Sequence, residues 1–368
     1  ADIGLDRFVR LSEEAKALSE RAMRAMIGKL PDGTYESKDW VEYDGRGEEE
    51  LHEVRTRLIV AGEEMTLQFR GGPQTNSFIN GAWPAVVGQA WTTLLAQLAY
   101  DIPINAGIWR PVHFDLGPKG SIVNAAPPVP VSMSHIQTGM KINKLLSDVF
   151  SQACSLSSDP VVAARVASQT AQDQTYFTAF GVDRRNGQPT MAFPMSVGMS
   201  NGGPAQTNSD GMEVYAAQCM SGCDMPDVEL EETSQPGMIL WRRIATDTGG
   251  AGVYRGGLGV DTSLTILHCD QMTGGAYTNT ALIPPRGAAG GFPGAAGAWK
   301  HWRKTNLLDL LDAHELPDAS NIKGEVEDST ATVTSFQIAR GDVYTVTHGG
   351  GGGVGHAVAQ QQLAHGLG

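Results

Sequence analysis

The residues best suited to chemistry lie in one glycine-rich stretch that contains a single charge. From Thr246 to His268 the sequence reads TDTGGAGVYRGGLGVDTSLTILH, and Arg255 is the only charged residue between Gly249 and Gly259. Glycine permits positive φ angles and a close approach of the backbone to another chain or a ligand. Two interpretations follow: a tight turn that joins two strands, or a backbone cradle for an anion with Arg255 as its clamp.

A second set of candidates consists of neutral amides in a charge-poor region. Only Asp101, Arg110, Asp115 and Lys119 carry charge between Gly71 and Ser134. A buried asparagine must find hydrogen-bond partners, either in a substrate or in its own backbone turn. Arg110 and Arg255 are expected to contact a ligand or a neighbouring subunit, and structural ion pairing is the alternative. The candidate substrate-binding or interface residues are therefore Asn80, Asn105, Arg110, Asn124, Arg255 and His348.

Metal ligation is considered at two places and predicted at neither. Cys219 and Cys223 have C-x3-C spacing, and His268-Cys269 would complete four ligands, but zinc knuckles use C-x2-C and buried free thiols are commoner. His348 and His356 flank a glycine loop, where each is more often a solvated or core histidine. The acidic residues are expected to form a solvated face, with a catalytic carboxylate pair as the alternative; they are Asp224, Asp227, Glu229, Glu231 and Glu232.

The terminal glycine loop has the G-x-G-x-x-G spacing of a dinucleotide-binding motif at Gly350, Gly352 and Gly355. A strand from Asp342 to His348 is expected before it and a helix from Ala357 to Leu363 after it. The sequence ends at Gly368 without a second strand or an acidic residue about 20 positions on, so nucleotide binding at this loop is not predicted. P-loop and H-E-x-x-H motifs do not occur.

Bulk properties favour a large globular subunit. The 368 residues are 41% hydrophobic and 18% charged, include 45 glycines and four cysteines, and carry a net charge of −13. Nucleic acids and anionic membranes require basic patches, so neither is an expected partner. A low charge content indicates surface buried against other subunits. Sparse cysteines, no run of about 18 apolar residues and no signal-like start predict a cytoplasmic location.

The elements that position these residues are predicted from periodicity. Ser12 is expected to cap a helix whose inner face is Ala15, Leu18, Ala22, Met26 and Leu30. Strands are expected at Tyr35–Tyr43, Val54–Val60 and Met65–Phe69, a helix from Pro84, a second long helix with an inner face from Ile136 to Phe150, and a short one at Leu307–Leu311. The predicted class is α+β, with mixed, largely antiparallel sheets, a few long helices and a β-rich, glycine-rich C-terminal half. The predicted regions are 1–160, with helix, sheet and charge-poor helical core, and 161–368, rich in strands.

Seven motifs in this order resemble the B-type subunit of the hydantoinase/oxoprolinase family. They are RAMRAMIGKLPDGTYE from Arg21, FINGAWP from Phe78, DIPINAGIWRPV from Asp101, NAAPP from Asn124, DVELEET from Asp227, GGAGVYRGGLG from Gly249 and THGGGGGVG from Thr347. The resemblance implies a subunit that works with an A-type, ATP-binding subunit. Members open hydantoins, 5-oxoproline or lactams with ATP hydrolysis, while relatives carboxylate acetone or acetophenone. The leading hypothesis is a cyclic-amide hydrolase subunit, and the alternatives are a ketone carboxylase subunit and a non-catalytic structural subunit.

Two differences from the family pattern limit what can be carried over. The resemblance implies a longer architecture in which a long N-terminal portion, separate or missing here, holds a divalent metal of the zinc or manganese type. No metal ligand is therefore transferred to this chain. At the terminal loop, Val354 and His356-Ala357 stand where the family has a tyrosine and Asp-Pro. Catalytic residues are not assigned.

Overall fold

The computed structural model describes residues 4–46, 49–172, 175–194, 200–216, 225–329 and 332–357. Contacts within the chain define two compact units. The first comprises Ala1–Trp40 and His52–Ala167, and the second comprises Val41–Leu51 and Ser168–Gly368. The contact division thus assigns 41–51 to the second unit and 161–167 to the first, whereas the sequence division was placed at residue 160.

The first unit contains a four-stranded sheet in the order β1-β2-β3-β4. Its strands are β1 (Gly33–Val41), β2 (His52–Ala61), β3 (Glu64–Gly71) and β4 (Val112–Asp115). β2 and β3 form a tight hairpin in which Ala61 pairs with Glu64, and Gly62 takes a φ of 60° that suits a two-residue turn. β4 pairs parallel to β3. The three predicted strands are confirmed, because their alternating side chains leave one face buried.

The first unit also contains helices, of which the first and the third pack on the sheet. They are α1 (Leu5–Ile27), α2 (Trp83–Gln97), α3 (Gln137–Ser155), α4 (Pro160–Ala163) and a 3-10 turn at Ala106–Trp109. α3 packs on both α2 and β2, and its predicted inner residues from Met140 to Phe150 are buried. Pro84 lies in the first turn of α2, as predicted.

The prediction for α1 was wrong in its start and in part of its buried face, since Met26 and Leu30 are buried as predicted but Ala15 and Leu18 are exposed. The helix begins at Leu5, so Ser12 lies inside it and caps nothing. Its buried residues are Ser19, Met23, Met26 and Ile27, whereas Leu18 is 59% exposed. At 100° per residue, the buried face lies about a quarter turn from the predicted stripe. Both stripes are apolar, and periodicity alone did not distinguish them.

The second unit contains two antiparallel sheets. One has the order β11-β10-β13-β8-β7 and the other β12-β9-β5-β6. The strands are β5 (Tyr176–Val182), β6 (Pro189–Ala192), β7 (Gly237–Ile244), β8 (Val260–Ile266), β9 (Gln271–Tyr277), β10 (Ala298–Arg303), β11 (Glu325–Ser329), β12 (Val333–Ala339) and β13 (Val343–Thr347), with the short helices α5 (Val228–Ser234) and α6 (Leu307–Asp312). Phe177, Trp299, Phe336 and Tyr344 pack against one another in the core.

These elements confirm the predicted α+β class with largely antiparallel sheets and a β-rich second half. The short helix predicted at Leu307–Leu311 is also present. The helix predicted at Ala357–Leu363 lies almost wholly outside the described residues. Among the helices within the described ranges, none has the length and hydropathy needed to cross a bilayer.

Candidate functional site

Four glycine-rich segments of the second unit lie side by side and bond through their backbones. We call segments 200–212, 248–259, 285–294 and 348–355 the glycine bundle. The amide of Gly202 donates to the carbonyl of Gly349 (3.0 Å), and the amide of Gly257 donates to the carbonyl of Gly203 (2.9 Å). The amide of Gly353 donates to the carbonyl of Phe292 (2.9 Å), which joins segment 285–294 to the others. The glycine-rich motifs at 249–259 and 347–355 therefore meet in space.

Glycine is required in the bundle because no space exists for a side chain. A Cβ atom added to Gly257 would overlap the carbonyl oxygen of Met212, and one added to Gly351 would overlap that of Gly203. All of stretch 249–259 is described, and positive φ angles do not occur in it. Close backbone approach, and not positive φ, is the reason for these glycines.

The stretch 249–259 is a long connection between two paired strands. It leaves β7 at Ile244 and enters β8 at Val260, two residues that face each other in the antiparallel pair. The amide of Ala245 donates to the carbonyl of Gly259 (2.9 Å) and closes the base of this loop. The expected tight turn was wrong in size, although the predicted connection between two strands is present.

The backbone from Val253 to Gly259 offers no cradle for an anion. Each amide from Val253 to Gly259 already donates to an acceptor within the chain. An anion-binding nest needs successive amides that point into free space. The cradle interpretation is therefore excluded for 253–259, and the same holds for the terminal loop, where the amides of Gly351, Gly352, Gly353 and Gly355 bond to carbonyls. These four amides are therefore not available to a phosphate.

Arg255 forms an ion pair inside the second unit. Its Nη2 lies 2.6 Å from Oε1 of Glu213, and its amide donates to Oδ1 of Asp210 (2.8 Å). The second carboxylate oxygen of Glu213 accepts the amide of Leu258. Glu213 thus fixes both the side chain of Arg255 and the backbone three residues later. With 43% of its side chain exposed, Arg255 still presents part of the guanidinium to solvent.

His348 lies at the start of the last bundle segment and is fully buried. Its amide donates to the carbonyl of Val260 (2.9 Å), and its carbonyl lies against Gly259. His356, at the other end of the loop, is exposed. Within the described ranges, no group of three or more His, Cys, Asp or Glu side chains is arranged to hold a metal ion. Cys219, Cys223 and Asp224 lie outside those ranges.

The first unit holds the remaining four candidates. Asn80 is fully buried; its Oδ1 accepts from the amide of Thr75 (2.8 Å), and its Nδ2 donates to the carbonyls of Thr75 (2.9 Å), Ser77 (2.6 Å) and Pro130 (3.0 Å). This side chain therefore ties two loops together. Asn124 lies on a neighbouring segment and donates to the carbonyl of Gly117 (2.8 Å), while its buried Oδ1 accepts no hydrogen bond from the described residues.

Asn105 and Arg110 both contact helix α1. Asn105 caps the 3-10 turn by accepting from the amide of Gly107 (2.8 Å), and its Nδ2 donates to Oγ of Ser19 (2.8 Å). Arg110 forms ion pairs with Glu20 (2.9 Å) and Glu13 (3.4 Å). Hydrogen bonds from Arg110 and Arg24 lower the pKa of Glu20. The structure thus brings Asn105 and Arg110 together at α1, places Asn80 and Asn124 on different loops of the first unit, and places Arg255 and His348 in different segments of the glycine bundle.

The acidic candidates near residue 230 serve local structure. Asp227 caps helix α5 by accepting from the amides of Glu229 (3.0 Å) and Leu230 (3.2 Å). Glu231 is 6% exposed, which differs from the solvated face expected for it, whereas Glu229 is exposed. Cys269 is buried, and this burial raises the pKa of its thiol, which disfavours the thiolate that a metal would require.

One chemically competent pair was not found from the sequence. Nε2 of His301 lies 3.3 Å from Oδ2 of Asp342, both residues are buried, and they line a cavity of about 350 Å³. Burial alone would raise the pKa of Asp342, but hydrogen bonds from His301 and from the amides of Ala339 and Lys304 outweigh it, so the pKa is lowered. A carboxylate that orients a histidine is a common arrangement in acid–base catalysis. His301 and Asp342 are 41 residues apart, and only the β10–β13 pairing brings them together.

Comparison with known proteins identifies the family. The model of the family described as Hydantoinase B/oxoprolinase matches residues 1–357. The chain belongs to the hydantoinase B/oxoprolinase family. The resemblance inferred from the seven motifs is thereby confirmed, and the glycine bundle contains two of those motifs.

The chain is similar to two curated members of this family with assigned activities. It is 29% identical over 288 residues to the caprolactamase β subunit of Pseudomonas jessenii, which covers 78% of this chain and 48% of the relative. It is 31% identical over 142 residues to the acetone carboxylase α subunit of Xanthobacter autotrophicus, covering 38% of this chain and 18% of that subunit. The chain spans about half the length of the caprolactamase subunit that it matches.

Two solved structures share the fold of this hydantoinase B family member. Nucleotide-free acetone carboxylase superposes with a TM-score of 0.85 at 20% identity, covering 99% of this chain and 50% of that one. The ATP-dependent caprolactamase of Pseudomonas jessenii superposes with a TM-score of 0.75 at 23% identity, covering 99% and 60%. At these identities the likeness establishes the fold alone.

Proposed function

We propose that this chain is the B-type component of an ATP-dependent complex that opens cyclic amides, such as hydantoins, 5-oxoproline or lactams. The observation that carries the proposal is the family match over residues 1–357, together with the caprolactamase β subunit as a relative that covers 78% of the chain. In this proposal an A-type partner subunit binds ATP and phosphorylates the substrate's carbonyl oxygen, and the complex works in the cytoplasm.

ATP on the partner is consistent with the chemistry of the described residues. The glycine loop at 350–355 uses the amides of Gly351, Gly352, Gly353 and Gly355 in backbone hydrogen bonds, which leaves these donors unavailable to a phosphate. The family resemblance implies a divalent metal, but within the described ranges no group of three or more His, Cys, Asp or Glu side chains is arranged to hold one. We therefore assign that metal to another part of the family architecture and derive no step through it from this chain.

The role proposed for this chain is to build rigid walls of the substrate cavity. Backbone hydrogen bonds hold the segments of the glycine bundle together, which supports a rigid wall in the second unit. Asn80 and Asn124 donate to backbone carbonyls of the first unit, so their proposed role is to fix the loops around them. The partly exposed guanidiniums of Arg110 and Arg255 are the proposed contacts to a ligand or to the partner subunit.

The deciding experiment is turnover by the assembled complex. The chain, its A-type partner and any further subunit are purified together and assayed for ATP-dependent consumption of hydantoin, 5-oxoproline and caprolactam. ATP-dependent ring opening of one of these supports the proposal. ATP-dependent loss of acetone or acetophenone that requires bicarbonate, with no ring opening, contradicts it.

A ketone carboxylase is the second candidate. The 31% identity over 142 residues to the acetone carboxylase α subunit of Xanthobacter autotrophicus supports it. The assay above separates these two activities by their requirement for bicarbonate.

A structural subunit without a catalytic role is the third candidate. It is favoured by the internal hydrogen bonds and ion pairs of Asn80, Asn105, Arg110 and Arg255. Arg255→Ala and Asn124→Ala separate it from the leading proposal. Unchanged assembly and unchanged turnover in both variants would favour the structural role.

A further inference from the structure

Helix α1 has an apolar surface about twice as wide as the face that it buries. Ser19, Met23, Met26 and Ile27 are covered by the first unit. A second stripe runs along the helix about 100° away from this face. It consists of Phe8, Leu11, Ala15, Leu18 and Ala22, which we call the α1 stripe.

The α1 stripe has the spacing of a helix–helix seam. Its members follow one another at intervals of 3, 4, 3 and 4 residues, the repeat that places side chains as knobs against a facing helix. Phe8 is 58% exposed, Leu11 45% and Leu18 59%. Large apolar side chains exposed in a row mark an interaction surface, whereas single exposed ones are ordinary.

Two further observations extend this surface. Residues 4–11 are exposed around the whole helix, including Leu5 (75%) and Val9 (51%), so no described element supports the first two turns of α1. The segment that bonds to α1 through Asn105 also exposes Ile104 (70%) and Trp109 (51%). Apolar surface is therefore available both on α1 and on the segment beside it.

The charges along one edge of the α1 stripe determine which charges a partner helix should have at the facing positions. Arg7, Glu14 and Arg21 are spaced seven residues apart, are exposed, and form no ion pair with the residues that the structure describes. In a helix pair such flanking positions face those of the partner and select it by charge. The complement of this edge is an acidic, a basic and an acidic residue at the same spacing.

We propose that the α1 stripe docks an amphipathic helix from outside these 368 residues whose flanking charges are acidic, basic and acidic. A second copy of α1 does not fit. Antiparallel pairing would set Glu14 against Glu14 of the copy and Arg7 against Arg21. Parallel pairing would set this edge against the side that contains Ser12 and Ser19, which offers no opposite charge.

The test uses the full chain and two synthetic helical peptides as probes. Both carry leucine at every seam position; one has Glu, Lys and Glu at the flanking positions, and the other has Lys, Glu and Lys. Binding is measured by fluorescence anisotropy at low salt. The charge-matched peptide is expected to bind about tenfold more tightly than the reversed one, because three flanking pairs change sign.

Variants locate the surface. Leu18→Glu should weaken binding of the matched peptide at least tenfold, while Leu316→Glu, at an 88% exposed leucine of the second unit, should leave it unchanged. Glu14→Lys should shift preference toward a peptide with glutamate at the middle flanking position. Circular dichroism verifies that each variant is folded.

Four results would overturn the proposal: no binding of either peptide, equal affinity for both, binding unaffected by Leu18→Glu, or self-association in sedimentation that Leu18→Glu abolishes. The last result would make a second copy the occupant.

Discussion

The carboxylate of Glu213 joins Arg255 to Leu258: one oxygen lies 2.6 Å from the guanidinium, and the other accepts the Leu258 amide. The two interactions differ in kind. The first is a partly exposed ion pair, which solvent screens. The second satisfies a backbone donor in the densely packed glycine bundle, where an unpaired amide is costly.

Glu213→Ala should therefore destabilise the chain more than Arg255→Ala does. We expect a loss of about 1–3 kcal/mol for Glu213→Ala, because the Leu258 amide loses its acceptor, and less than about 1 kcal/mol for Arg255→Ala. Urea unfolding followed by fluorescence measures both. A larger loss for Arg255→Ala would show that the ion pair, and not the backbone bond, is the important contact.

Gly351→Ala should prevent the bundle from forming. A methyl group there overlaps the carbonyl oxygen of Gly203, and backbone cannot move aside as a flexible side chain can. Gly88→Ala is the matched control, because nothing lies within 4 Å of its added methyl group and it sits inside helix α2. The control should stabilise the chain by up to about 1 kcal/mol. Similar thermal midpoints for the two variants would refute the requirement for close backbone packing.

Arg110→Ala should raise the pKa of Glu20. Arg110 donates to Oε2 of Glu20 at 2.9 Å and makes the largest contribution to lowering its pKa, ahead of Arg24. Carboxyl-carbon NMR titration of selectively labelled glutamate measures the shift. Arg24→Ala is the control and should raise the pKa of Glu20 by less. A larger rise for Arg24→Ala than for Arg110→Ala would mean that the ion pair between Arg110 and Glu20 does not persist in solution.

Acid should remove the contribution of Asp342 to stability. Its folded-state pKa is lowered, so that contribution is complete above the unfolded-state value of about 3.9 and is lost as the pH falls through the lower folded-state value. Asp342→Asn should cost about 1–3 kcal/mol at pH 7 and flatten the decline of stability below pH 4. Unfolding free energies measured from pH 2 to 7 test this. If the stability of Asp342→Asn still falls steeply below pH 4, other carboxylates are responsible for the decline.

Local patterns predicted most of the first unit. The alternation in β2 and β3 and the apolar face of α3 report burial directly, because each element has one buried side. The predicted buried face of α1 was partly wrong because the apolar arc of this helix is wider than the surface that covers it. The stripe through Leu18 therefore had the periodicity of a core face although Leu18 is exposed.

The candidate site was less accessible to sequence reasoning. The motif around Arg255 was found, but not its partners, since Asp210 and Glu213 lie more than 40 residues earlier in a segment without a recognisable pattern. Backbone-to-backbone packing leaves glycine as its only trace in the sequence. The pairing of His301 with Asp342 depends on strand register, which periodicity within one strand does not specify.

The glycine bundle also sets the order in which the chain can fold. Gly202 bonds to Gly349 and Gly257 to Gly203, so the bundle joins segments nearly 150 positions apart. Such distant contacts form slowly because loop closure must precede any gain from them. During synthesis, the amides of Gly202 and Gly250 lack their acceptors until residues 348–355 leave the ribosome, although Gly257 can already bond to Gly203. A nascent chain halted before that point would present these backbones to chaperones or to other chains, and release of the last segment would complete the second unit.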